Sequence, residues 1–144
     1  MLKVILRAAM VGVGLLVDRV FVWVNDYITT ITGYTNDELI GKSARIFYEN
    51  DEEFTRVNKE KYAEIRKTGI GSIETRWKRK NGEIVDIFLS SVAIDPQDLS
   101  AGVVFTALDI TSEKRAKTAL ITSEERFRML AELLPQTIFE LYQN

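Results

Sequence analysis

The sequence predicts an α+β domain: a five-stranded antiparallel sheet with short helices on one face, followed by a long C-terminal helix. Three observations predict it. The apolar stretch AAMVGVGLLVDRVFVWV is broken after about ten residues by Asp18 and Arg19, too soon for a membrane span of about twenty and well placed for a strand hairpin. A second pair of β-prone runs, SIETRWKRKNGEIVDIFLSSVAI, flanks Asn81-Gly82, a strong short-range hairpin signal. Between the two pairs lie segments with helical caps and helical periodicity.

Those middle segments come in order. Asn25 precedes DYITTIT and Gly33, an N-cap, two helical turns and a glycine stop. Thr35 and Glu38 stand in capping-box spacing ahead of Leu39, Ile40 and Gly41, so a single-turn helix is expected there. From Asn50 a longer helix runs to Gly69, with Phe54, Val57, Tyr62 and Ile65 in one sector. The acidic run Glu49 to Glu53 lacks the alternating spacing and central glycine of a calcium loop and suits a helix start. After the polar stretch from Pro96 to Gly102, VVFTALDI supplies the fifth strand. Several strands are apolar at both parities, Phe88 between Ile87 and Leu89 for instance. Both sheet faces therefore need cover, one from the helices and the other from the N-terminal segment or a second subunit.

Composition excludes more chemistry than the motifs support. The 144 residues contain no cysteine and no histidine. Disulfides, thiolate nucleophiles, cysteine- or histidine-ligated metal, histidine-ligated haem and histidine relays are all ruled out. The formal net charge of -2 with both signs interspersed gives no footprint for nucleic acid. No membrane contact is expected from this segment, and a cytoplasmic location is the expectation. Gly12-Val13-Gly14 lacks the third glycine and the helix of a dinucleotide fingerprint.

VNDYITTITGYTNDELIGK, then RWKRKNGEIVDI, then Asp109-Ile110-Thr111 together resemble the PAS sensor family over most of the chain. The resemblance implies that sheet and helices surround a small cavity for a ligand or cofactor. It implies regulation rather than catalysis, with a histidine kinase or diguanylate cyclase output in a longer parent chain. The missing cysteine excludes a cysteinyl-flavin adduct, which leaves a non-covalent flavin, a small organic ligand or an empty core. Ile31, Tyr34, Leu39, Ile46, Phe47, Phe88 and Phe105 are the cavity candidates, with plain core packing as their other reading. Trp23 and Trp77 are assigned to the outer sheet face as anchors, and Lys78 to Lys80 to solvated edge protection. Asp109 and Thr111 are read both as a helix cap, worth about 1 kcal/mol, and as the family's signal exit.

The expected boundaries are a sensor domain over residues 1–111, with a flanking helix over 1–10, a linker helix over 112–134, and the start of a second PAS domain over 135–144. The linker has a 4, 3, 4, 3, 4 seam of Ala116, Leu120, Ser123, Phe127, Leu130 and Leu134, which predicts a parallel helical pair in a homodimer. The other reading is a helix that folds back over the sheet. Two functions follow from these expectations: a ligand sensor that signals through the paired helices, and a ligand-free module for dimerisation and assembly.

Overall fold

The computed structural model describes residues 10–133. One compact unit ends at Thr111 and a second begins at Ser112. The expected flanking helix, apart from Met10, the seam residue Leu134 and the segment 135–144 lie outside the described residues.

In the first unit, β1 (Gly12–Val17) and β2 (Val20–Val24) form an antiparallel hairpin. Asp18 and Arg19 close it, both at positive φ, 52° and 63°, a pattern whose twist matches that of the strands it joins. Then come α1 (Asp26–Thr32), α2 (Asn36–Leu39), a 3-10 turn (Ala44–Phe47) and α3 (Asp51–Thr68). The chain returns through β3 (Ile70–Lys78), β4 (Ile84–Ala93) and β5 (Val103–Asp109). The strands lie side by side as β2-β1-β5-β4-β3, and every neighbouring pair is antiparallel.

The caps fall where the sequence places them. Asn25, Thr35 and Asn50 side chains accept N-terminal backbone N–H groups of α1, α2 and α3. Asn25 does more: its Oδ1 accepts from Val13 N at 3.0 Å and its Nδ2 donates to Val11 O at 3.0 Å. One side chain thus ties the start of α1 to the start of the sheet.

The inner sheet face and the helices enclose the core, where Phe21, Leu39, Val57, Ile87, Phe105 and Ala107 are each no more than 2% exposed. Close approach is built into two glycines. A Cβ on Gly14 would overlap the Phe105 ring, and one on Gly71 would sit 2.5 Å from Lys61 O, so β3 can press against α3.

Register decides which aromatics face inward. Trp77 pairs with Val85 and is 2% exposed, which corrects its expected outer position. Phe88 pairs with Glu74 and Leu108 and is 39% exposed, so it stands on the outer face and not in a cavity wall. Trp23, Val92, Val104 and Leu108 are exposed as well. The β3–β4 connection also differs in detail from an Asn-Gly two-residue turn. Gly82 N donates to Arg79 O and Arg79 N to Glu83 O, a three-residue loop with Gly82 in the left-handed region.

In the second unit the chain is helical. The helix α4 spans Thr111–Leu133, about 34 Å at 1.5 Å per residue, and starts one residue before the expected boundary.

Candidate ligand cavity and signal junction

A small cavity lies on the inner face of the sheet. Its apolar wall is Leu16, Phe21, Phe47, Leu89 and Phe105, with Ala44 at its edge, and its volume is about 10 Å³, room for about one water. The aromatic wall is continuous. Phe47 lies 4.9 Å from Phe21 and 4.6 Å from Trp77 between ring centroids, and Trp77 meets Phe105 edge-on at 6.3 Å, all within the range for favourable ring pairs.

The rest of the lining is polar: Arg19, Tyr48, Asn58, Lys61 and Trp77. Lys61 is 3% exposed, because Val57, Lys61 and Ile65 follow one another at four-residue spacing on the buried stripe of α3. Its Nζ lies 5.1 Å from the Tyr62 ring centroid, and no carboxylate among the described residues pairs with it. Burial, with a smaller push from the Arg19 guanidinium, lowers its pKa to about 8. The Trp77 Nε1–H is buried and has no acceptor among the described residues. The neighbouring Tyr48 hydroxyl feels that N–H without accepting from it in hydrogen-bond geometry, and burial raises the Tyr48 pKa to about 12. Arg19 closes the ring at the solvent side, where it also lines an open surface groove with Tyr62 and Arg66.

Of the seven cavity candidates, Phe47 and Phe105 line this space. Ile31 and Leu39 are buried core and Tyr34 and Ile46 pack against it half-buried, while Phe88 faces away. Lys61, Asn58 and Arg19 were not among the candidates, and the Val57-Lys61-Ile65 spacing is the signal that marks Lys61 as inward.

The exit of β5 is a second organised feature. Asp109 Oδ1 accepts from Thr111 N at 2.9 Å and Thr111 Oγ1 at 2.6 Å. Asp86 N in turn donates to Thr111 Oγ1 at 2.8 Å, and Ile110 N donates to Asp86 O at 2.9 Å. The junction therefore does more than cap a helix: it fastens the first residue of α4 to the neighbouring strand β4. Lys80, expected in solvent, is also engaged. Its Nζ meets Glu38 Oε2 at 2.7 Å, and that hydrogen bond, with the Thr35 N–H, holds the Glu38 carboxyl down at about 2.

Among the described residues no group of carboxylates could hold a metal ion, and no helix is long and apolar enough to cross a membrane.

A family model described as PAS domain matches residues 10–112. The chain is 25% identical over 142 residues to the sensor protein TdiS of Thauera aromatica and 30% identical over 125 residues to sporulation kinase A of Bacillus subtilis (strain 168). These alignments take in 99% and 85% of the chain but 25% and 20% of those relatives, so the chain spans about a quarter of their length. Among solved structures, the PAS domain of a LuxR-family transcriptional regulator from Burkholderia thailandensis, in complex with ethanol, superposes with a TM-score of 0.66 at 27% identity, covering 69% of this chain and 88% of that one. A sensory box histidine kinase/response regulator from Burkholderia thailandensis E264 gives 0.67 at 19% identity, covering 89% and 98%, which shows the same fold. With the five-stranded sheet, the middle helices and the match across residues 10–112, the chain belongs to the PAS domain family, whose members are regulatory sensor modules.

Proposed function

We propose that this chain is the sensory module of a longer signalling protein: a small ligand enters the core cavity, and the change reaches an output domain through a pair of α4 helices in a homodimer. The observation that carries this reading is the continuity of β5. Phe105 lines the cavity, and four residues later the same strand ends at Asp109, in the hydrogen-bonded junction with α4. A shift of the Phe105 ring is thus imposed on a strand that is fastened to the helix. The ligand acts only through its different affinity for the two arrangements.

Its relatives support the reading: they are a sensor protein and a kinase, and a histidine kinase or diguanylate cyclase is the output we assign. The PAS domain that holds ethanol supports a ligand of a few heavy atoms. No catalytic step is assigned to this chain itself. Leu120, Phe127 and Leu130 are exposed along α4 at the spacing of a helical pair, with Ala116 and Ser123 as its small positions. A second reading, a ligand-free module for assembly, is favoured by the cavity volume of about 10 Å³; it shares the dimer and lacks the ligand.

Sedimentation velocity tests the pairing. The chain is expected to run as a dimer and the double variant Leu120→Asn/Leu130→Asn as a monomer with an unchanged sheet unit. A monomeric parent chain, or a dimer indifferent to both substitutions, overturns the paired-helix transmitter.

A further inference from the structure

The cavity has an imbalance: it is lined by a buried ammonium and a buried indole N–H that have no partner among the described residues, and by no carboxylate. Among the described residues, Lys61 is buried with no carboxylate paired to it and Trp77 Nε1–H has no acceptor, and the Asn58 side chain, 7% exposed, lines the same space. Arg19, which lines the same cavity, acts on Lys61 as a like charge. A buried cation with a second cation beside it is unfavourable unless an anion joins them, and an indole N–H without an acceptor loses a hydrogen bond. Both deficits are met by the same group, a carboxylate. It takes a charge-assisted bond from Lys61 and a directional one from Trp77, while its alkyl end faces Phe47 and Phe105.

We propose that the cavity is a binding site for a small monocarboxylate, with Lys61 as the charge partner, Trp77 N–H and Asn58 as directional donors, and Arg19 as the residue at the entrance. The inference rests on the ligand-sensing reading above and specifies the ligand's chemistry. A carboxylate with even one methyl group exceeds the one-water space. Entry therefore requires the lining to part at Arg19, whose guanidinium already lies 5.4 Å from the Tyr62 ring centroid at the adjoining groove.

The indole signals of the full chain test this. There are two tryptophans, and Trp23→Phe assigns the Trp77 peak in a proton–nitrogen spectrum. Sodium acetate is titrated against sodium chloride of equal ionic strength and against ethanol, a neutral molecule of similar size. Acetate is expected to move the Trp77 indole signal downfield and to saturate, leaving Trp23 in place. Lys61→Met is expected to weaken that binding at least tenfold, and Arg19→Gln, at an exposed position, severalfold in a chain that folds normally. Saturable binding of ethanol as tight as that of acetate overturns the charge assignment while the ligand reading stands. Absence of an acetate shift, or acetate binding unchanged by Lys61→Met, overturns the proposal. Absence of saturable binding by either molecule, with no bound mass in the purified protein, removes the ligand reading as well.

Discussion

Replacing Lys61 by methionine should stabilise the unliganded domain at neutral pH. The lysine is 3% exposed and its pKa falls from 10.5 to about 8, chiefly through burial. That difference corresponds to about 3 kcal/mol by which the folded state disfavours the charged form. Methionine keeps the unbranched stem among Val57, Ile65 and Tyr62, discards the ammonium, and forfeits the contact with the Tyr62 ring, worth about 1–2 kcal/mol when desolvated. A net gain of about 1–2 kcal/mol remains, or a rise of at least about 4 °C in Tm for a domain of this size. The pH dependence has a definite sign. Below about pH 8 the lysine is charged in both states and the full penalty applies; between about 8 and 10.5 only the unfolded chain keeps the proton, so stability rises with pH. Tyr48, raised to about 12 by burial, contributes in the opposite direction only as pH passes 10, so the useful window is pH 7 to 9.5. Denaturant unfolding of both proteins across it should show a rising stability in the parent chain and a smaller slope in Lys61→Met. A lower Tm for the variant at pH 7, or parallel pH profiles, would refute the reasoning, since either means that the ammonium is satisfied in the folded protein.

Other substitutions separate structural from signalling roles. Asn25→Ala removes two acceptor bonds and one donor bond and should cost about 2–3 kcal/mol in chemical denaturation, because the buried Val13 N–H is left without a partner; a loss below 0.5 kcal/mol, on the order of a surface change, would show that the tie is dispensable. Gly14→Ala places a methyl group in the Phe105 ring and should cost about 1–3 kcal/mol by overpacking, read by thermal unfolding; an unchanged Tm would mean that the ring moves freely. Asp109→Ala breaks both bonds to Thr111 and should cost about 1 kcal/mol while abolishing the response of a kinase or cyclase fused after the helix. A normal response in that fusion would remove Asp109 from the signal route.

Local features of this fold were legible in the sequence and register-dependent ones were not. The Asp18-Arg19 turn and the caps at Asn25, Thr35 and Asn50 depend on side chains within a few residues of the groups they satisfy, so residue type and spacing sufficed. Phe88 went to the wrong face because its strand is apolar at both parities, and only the pairing with Leu108, set by distant chain, fixes which parity is inner. Trp77 alternates with Glu74, Arg76 and Lys78, so its inward parity was readable in those charges and was missed. In the candidate site, Phe47 and Phe105 were readable as large apolar residues. Lys61 was passed over because a lysine on a charged helix reads as solvated, although its spacing from Val57 and Ile65 places it on the buried stripe. The bond from Asp86 N to Thr111 Oγ1 joins residues 25 apart in the chain and has no local signature, so the tie to β4 was not readable beside the cap and the signal exit.

Native mass spectrometry of the freshly purified chain, sprayed from an acetate-free volatile buffer, separates a ligand-binding dimer from the alternatives, since one spectrum reports subunit number and bound mass together. A dimer is expected in which the protomers carry a reproducible small mass that is lost in Lys61→Met. A monomer without any bound mass would contradict that expectation.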